Sequence, residues 1–259
     1  MRLDRFLSGQ TALSRSAAAD AVRRGSVTVN GTVVRKPETA VSPEKDTVTL
    51  SGKPVSYEQF CYYLLHKPTG ILTAARDKKQ PTVLDLIAPE DRRKDLNPCG
   101  RLDKDTSGLL LLTDDGQLAH RMISPKHHVT KYYLALLSEP FSEHYIDVFR
   151  AGITLREGDS EEACLPAECQ AVGEKLAVLA LTEGKYHQVR RMFAAVGNHV
   201  EQLLRVQVGA LALPPDLPAG AYLKLSTKDT PLLYADSSIS RVFAFCAQYY
   251  SSYWIKSGK

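Results

Sequence analysis

The most continuous apolar stretch of the chain is Leu109 to Leu112, four leucines between Gly108 and the polar turn Thr113-Asp114-Asp115-Gly116. A short run without alternation, closed by turn residues, predicts a strand buried on both faces. Near the N-terminus the pattern changes. Leu3, Phe6 and Leu7 fall at helical spacing, and Ser14 or Ser16 can cap a second helix that runs through Val22 and ends near Arg24-Gly25. Two β-branched runs, Val27–Val29 and Thr32–Val34, flank Asn30-Gly31. That pair predicts a hairpin, because a type I′ turn needs positive φ at both central residues. The stretch 42–56 is polar and holds Pro43, Gly52 and Pro54, which puts a domain boundary near residues 55–59.

Beyond the boundary, strands and helices alternate. Phe60–Leu65 reads as a strand ending at His66-Lys67-Pro68-Thr69-Gly70, and Thr82–Ile87 as a short helix after Pro81. Leu118, Met122 and Ile123 make the apolar face of a helix that Asp114 or Thr113 can cap and Pro125 stops. Lys131–Leu137, Ala167–Val172 and Leu176–Thr182 read as strands, and Phe141–Phe149 as a helix with Gly152 just past its end. Val189, Met192, Phe193 and Val196 recur at i, i+3, i+4 and i+7, with Gly197 or Asn198 for the left-handed residue that ends the helix. This order implies an α+β fold: a small N-terminal module at 1–56, then a domain at 59–230 built on a mixed, mainly antiparallel sheet with flanking helices. Residues 231–259 form a C-terminal extension, either packed on that domain or a disordered aromatic tail.

Composition narrows the class. At 259 residues, 24% charged and 44% hydrophobic, the chain is an ordinary globular protein able to bury a core. No apolar run approaches the ~20 residues of a membrane span, and the N-terminus lacks the apolar core of a signal peptide, so a cytoplasmic protein is expected. Five cysteines, an odd number with no CxxC pair, read as reduced structural thiols. The net charge of +4 is concentrated at one end: residues 1–36 hold Arg2, Arg5, Arg15, Arg23, Arg24, Arg35 and Lys36 against Asp4 and Asp20. A local basic surface is what a binder of phosphate backbones displays.

Two motifs carry chemistry. Gly100-Arg101-Leu102-Asp103, followed by Asp105-Thr106-Ser107-Gly108-Leu109, sets one carboxylate in a polar turn next to the buried strand, where it can be presented in a single geometry. This run resembles the GRLDxxTxGL motif of RNA pseudouridine synthases, in particular the branch that modifies ribosomal RNA. The second, Gly184 to Met192 (GKYHQVRRM), is similar to the family's GxxxQ(I/V)(R/K)RM pattern. The two helices, Arg-rich second helix and VxVNGxxV hairpin of residues 1–56 resemble the S4 RNA-binding domain, with Arg2, Arg5, Arg15, Arg23, Arg24 and Asn30 as its candidate contacts.

The resemblance implies isomerisation of a uridine in structured ribosomal RNA, most plausibly of the small subunit, free or in a pre-ribosomal particle, by a monomer. The alternatives are a large-subunit target or a non-catalytic assembly factor. No cofactor or metal is expected: net atoms are conserved in the reaction, and phosphate-loop, dinucleotide and zinc spacings are absent. Asp103 would either attack C1′ or remove the 2′ proton. Arg190 would pair with Asp103 and keep it ionised. Tyr133, in the family's KxYL pattern with Lys131, would stack on the base, although a core-packing role fits that position equally. Arg101 would fill the gap left by the extruded base. Lys185 and Arg191 at the start of the second motif's helix would meet anions, since cations there oppose the helix dipole. Asp105, Asp114 and Asp115 read as turn and capping residues, and His187 as an RNA-surface or helix-end residue.

Overall fold

The computed structural model describes residues 1–157, 160–251 and Tyr253. Its N-terminal module follows the apolar pattern. Helix α1 (Leu3–Gln10) packs on α2 (Arg15–Arg23), which Ser14 caps by accepting from the Ala17 amide at 3.2 Å. Strands β1 (Val27–Val29) and β2 (Thr32–Val33) form the expected hairpin, with Asn30 at φ 51° and Gly31 at φ 80°, and β3 (Val48–Leu50) and β4 (Lys53–Val55) extend the sheet in the order β2-β1-β3-β4. Leu3, Phe6, Leu7, Ala18, Val22 and Val27 form this module's own core.

In the second domain nine strands of the described residues make one sheet: β5 (Tyr62–Lys67), β6 (Asn97–Cys99), β7 (Thr106–Thr113), β8 (Lys131–Leu137), β11 (Glu168–Gly173), β12 (Leu176–Leu181), β13 (Val200–Val208), β14 (Leu211–Ala212) and β15 (Tyr222–Lys224). Between β8 and β11 in the chain, β9 (Thr154–Glu157) and β10 (Ser160–Ala163) pair as a separate ribbon. The central order is β11-β12-β8-β13-β7-β5-β15, with β6 on β7 and β14 on β13. Only β13 and β7 run parallel, so the fold is α+β on a mixed, mainly antiparallel sheet.

Strand β7 is buried along its whole length. Leu109 and Leu111 face the layer that holds α3 (Gly116–Ile123) and α6 (Ile239–Tyr249); Leu110 and Leu112 face the loops that follow β5. Each such leucine contributes about 2 kcal/mol of apolar burial. Helices α4 (His144–Ala151) and α5 (Gln188–Ala195) cover the other end of the second face through Phe149, Val189, Met192 and Phe193. Asp115, rather than Asp114 or Thr113, caps α3, accepting from the Gln117 and Leu118 amides at 3.1 and 3.0 Å. Ile123 does not share the buried face of α3: it is exposed at the helix end.

The C-terminal extension packs rather than trailing off. Val242, Cys246 and Tyr250 are 1%, 0% and 1% exposed within the core beside Met122, Tyr132 and Val178. The Tyr132 hydroxyl donates to the Ser237 carbonyl. All five cysteines are free and buried. No helix among the described residues is long and apolar enough to cross a membrane.

Arg93 bridges the two domains. Arg93 Nε donates to the Gly9 carbonyl at the end of α1 (2.7 Å) and lies 3.0 Å from Asp114 Oδ2, while Nη2 reaches Gln59 O at 3.4 Å. Asp114 in turn accepts the Cys61 amide at 2.8 Å, so α1, the linker and the start of β5 converge on one ion pair.

Candidate active site

Asp103 sits in the turn that joins β6 to β7, and the carbonyls of Leu102, Asp103 and Lys104 in that turn are held by donors beneath it. Lys67, at the end of β5 and 0% exposed, donates from Nζ to the carbonyls of Pro68 (3.1 Å), Asp103 (3.0 Å), Lys104 (3.3 Å) and Thr106 (2.9 Å). Burial lowers its pKa from 10.5 to about 8, against the pull of Asp105 and Asp103 in the other direction. Gly70 N donates to Lys104 O at 2.7 Å, and Thr73 Oγ1 to Leu102 O at 2.7 Å. Behind the turn, β7 and β13 touch at Gly108 (φ 113°), where a Cβ would lie 2.3 Å from the Arg205 carbonyl oxygen. The backbone that carries Asp103 therefore has one conformation, and the carboxylate, with its side chain 33% exposed, projects from it.

It faces a cavity of ≈ 530 Å³ lined by Arg101, Asp103, Lys131, Tyr133, His187 and Arg205 among others. Tyr133 and Lys131 enter from the same face of β8, while Tyr132 points into the opposite core. Tyr133 thus fits both readings open from sequence: half-buried, it packs on core residues and still reaches the cavity. Burial, with Arg205 adding to it, lowers the Lys131 pKa to about 8. Ile123, unexpectedly exposed, is part of the rim.

The cation beside Asp103 is not the one expected. Arg190 Nη2 pairs with Asp105 Oδ2 at 2.9 Å, and its Nη1 donates to Val200 O at 2.7 Å. Asp103 instead has His187 Nε2 3.6 Å from Oδ1, a distance at which the ring forms an ion pair once protonated. The cause is local. His187 adopts a left-handed conformation (φ 47°) that starts α5 and swings its imidazole toward Asp103, whereas Arg190, one turn on, is tied to β13 and reaches only the far end of the turn. Asp105 is therefore an ion-pair partner and not merely a turn residue. Tyr186, 68% exposed, stacks on His187 with ring centroids 3.9 Å apart.

The other expected substrate cations are partly engaged. Lys185 Nζ lies 3.1 Å from Glu162 and 3.7 Å from Glu183, and Arg191 Nη1 2.9 Å from the second Glu162 oxygen. The anion demanded by cations at the start of α5 is met by carboxylates of the protein itself. Arg101 is exposed and lines the cavity.

In the N-terminal module Arg2, Arg5, Arg15, Arg23 and Arg24 are exposed on α1, α2 and their ends. Arg2 and Arg15 share the buried Asp4 (2.8 and 3.5 Å), whose carboxyl the Arg2 hydrogen bond holds below its usual range. Asn30 departs from its expected role as an RNA contact. Its amide donates to Asp46 and its carbonyl accepts the Thr47 amide, both at 2.9 Å, so the side chain is committed to the fold of the module.

Sequence reading missed Lys67, Arg93 and Arg205, and undervalued His187. A buried lysine in an otherwise apolar strand was the available signal for Lys67. The same signal marks Arg205, which interrupts the apolar run Leu203-Leu204-Arg205-Val206.

Comparison with known proteins agrees with this geometry. Residues 61–195 match the family model of RNA pseudouridylate synthase, and residues 1–48 that of the S4 domain. The chain is 41% identical to the Bacillus subtilis protein YtzG, named an uncharacterized RNA pseudouridine synthase, over 90% of this chain and 98% of that one. It is 39% identical to ribosomal small subunit pseudouridine synthase A of Escherichia coli, over 88% of this chain and 98% of the relative. A crystal structure of a pseudouridylate synthase superposes with a TM-score of 0.62 at 37% identity, covering 90% of this chain and 99% of that one. A carboxylate on an immobilised turn, a strand tyrosine across the cavity and an S4 domain in front thus coincide with similarity over almost the full length, and the chain belongs to the RNA pseudouridylate synthase family.

Proposed function

We propose that this pseudouridine synthase isomerises a uridine of small-subunit ribosomal RNA, with Asp103 as the group that starts the reaction. The observation that carries the mechanistic part is the rigid presentation of the Asp103 carboxylate at a cavity of ≈ 530 Å³ with Tyr133 beside it. The name of the Escherichia coli relative supports the ribosomal small-subunit target. The target nucleotide leaves its stack at a cost of a few kcal/mol, which Arg101 in the vacated position and Tyr133 against the base offset. Asp103 then acts on the ribose, either at C1′ or on the 2′ proton, and the N1–C1′ bond breaks. The uracil turns within the cavity and rejoins through C5.

The exposed arginines of the N-terminal module hold the surrounding RNA, and Arg93 sets their distance from the cavity. Arg190 shapes the turn through Asp105 rather than touching Asp103. In this reading the protein acts as a monomer in the cytoplasm, where ribosomal RNA matures.

The test is Asp103→Asn assayed on small-subunit ribosomal RNA lacking modification. The variant should bind RNA as the wild type does and form no pseudouridine. Wild-type turnover in that variant would remove Asp103 from the chemistry, and turnover only on large-subunit RNA would move the target.

A further inference from the structure

Three donors at the base of the cavity have no partner among the described residues. Arg205, on β13, is 3% exposed; its Nε donates to Leu109 O at 2.8 Å, but Nη2 is buried without an acceptor. Thr106 Oγ1, 1% exposed, is likewise unpaired. Lys131 enters from β8 with no hydrogen bond or ion pair to its ammonium. Arg205 is in register with Tyr133, so all these groups share the face on which the base would lie. Nearby carboxylates are otherwise engaged: Asp103 faces His187, Asp105 pairs with Arg190, and Glu183 accepts from Gln188 and lies near Lys185. An unneutralised buried cation and an orphaned donor each cost stability, and such a cost persists where a ligand repays it.

Uracil is neutral while it is attached to ribose. When the N1–C1′ bond breaks, the bonding electron pair stays on N1 and spreads over O2 and O4. We propose that Arg205, with Lys131 beside it, is the site that stabilises this detached uracil anion. This inference rests on the reading of the cavity given above. The interaction grows only as the bond breaks, so it lowers the barrier rather than tightening ground-state binding. It also suits the rotation. A half-turn about the N3–C6 axis exchanges N1 with C5 and O2 with O4, so donors that meet the carbonyl oxygens before the turn meet them again after it. C5 then attacks C1′ as the bond from Asp103 to C1′ breaks or, on the other route, as C2′ takes its proton back; the C5 proton is lost to a base and N1 takes up a proton, which returns the ring to neutrality with no atom gained or lost.

Leaving-group acidity tests this. Small-subunit ribosomal RNA transcripts made with uridine or with 5-fluorouridine present the same backbone, but the fluorinated base departs as a more stable anion. Single-turnover loss of the parent nucleoside is measured by digestion and chromatography, alongside RNA affinity and its salt slope. Arg205→Gln should slow cleavage ~10²–10³-fold on the uridine transcript, the usual effect of removing one such donor. Its deficit on the fluorinated transcript should be at least tenfold smaller, with affinity and salt slope unchanged. Equal deficits on both transcripts, or a loss confined to affinity with a shallower salt slope, would overturn the assignment and make Arg205 a phosphate contact or a structural residue. If Arg205→Gln does not fold, Lys131→Met decides by the same comparison, unequal deficits supporting the assignment and equal ones overturning it. Wild-type silence on both transcripts counts against the substrate reading instead, and large-subunit transcripts then enter the same comparison.

Discussion

Replacing Lys67 with Met keeps the length of the side chain and removes the ammonium that four carbonyls share. A hydrogen bond to a charged group contributes ~1.5–3 kcal/mol, so at ~1.5 each the four bonds from the ammonium together contribute about 6 kcal/mol. Against this stands relief from holding a charge in the core. The lowering from 10.5 to about 8 corresponds to about 3 kcal/mol at ~1.4 kcal/mol per unit. The net expectation is a destabilisation of about 3 kcal/mol. For a domain of this size that moves the melting temperature down by ~6–12 °C. Urea unfolding of the wild type and Lys67→Met, followed by far-UV circular dichroism, reads the difference directly. Because the bonds converge on the Asp103 turn, kcat should fall well beyond what the residual unfolded fraction explains, while KM for RNA changes little. A midpoint within error of the wild type, with normal kcat, would refute the view that Lys67 organises the turn.

Other perturbations follow the same contacts. Gly108→Ala forces a Cβ to within 2.3 Å of the Arg205 carbonyl at a φ of 113°, and should destabilise by ~3 kcal/mol or more or abolish soluble expression, as thermal unfolding will report. Arg93→Met strands the buried Asp114 and should cost ~3 kcal/mol; limited proteolysis should then cut near residues 56–60, and KM for RNA should rise more than kcat falls. For Lys131, the pKa lowered to about 8 means that between pH 8 and 10.5 the unfolded chain keeps a proton the folded one has released, so this residue's penalty shrinks as pH rises. Lys131→Met should therefore be ~1–2 kcal/mol more stable than the wild type at pH 7, after allowance for its partial solvent contact, with the gap closing by pH 10.5 in denaturant titrations. A gap that widened with pH would reverse the sign and exclude a depressed lysine.

Much of the fold was legible because its signals are local. Ser14, Asn30-Gly31 and Leu109–Leu112 each specify a cap, a turn or a strand within a few residues, and the structure has all three where the pattern puts them. The cavity was legible through Asp103, Tyr133, Lys131 and Arg101, which lie in two short motifs. What escaped depends on register between distant strands. Lys67 acts on residues more than thirty positions away, Arg205 gains its place only because β13 lies beside β7 and β8, and the partner of Arg190 was decided by the single left-handed residue His187. Asn30 shows the converse: the hairpin was correct, yet its side chain closes the module instead of facing RNA.

The position of α6 has a consequence for how the enzyme is made. Strand β8 is an interior strand of the sheet, yet the layer over Tyr132 stays open until Val242, Cys246 and Tyr250 arrive more than a hundred residues later. During synthesis the N-terminal module can close as soon as its first 55 residues emerge, whereas the face of the second domain over Tyr132 is covered only once residue 250 has emerged. The N-terminal module is thus complete on the nascent chain long before the face over Tyr132 is sealed.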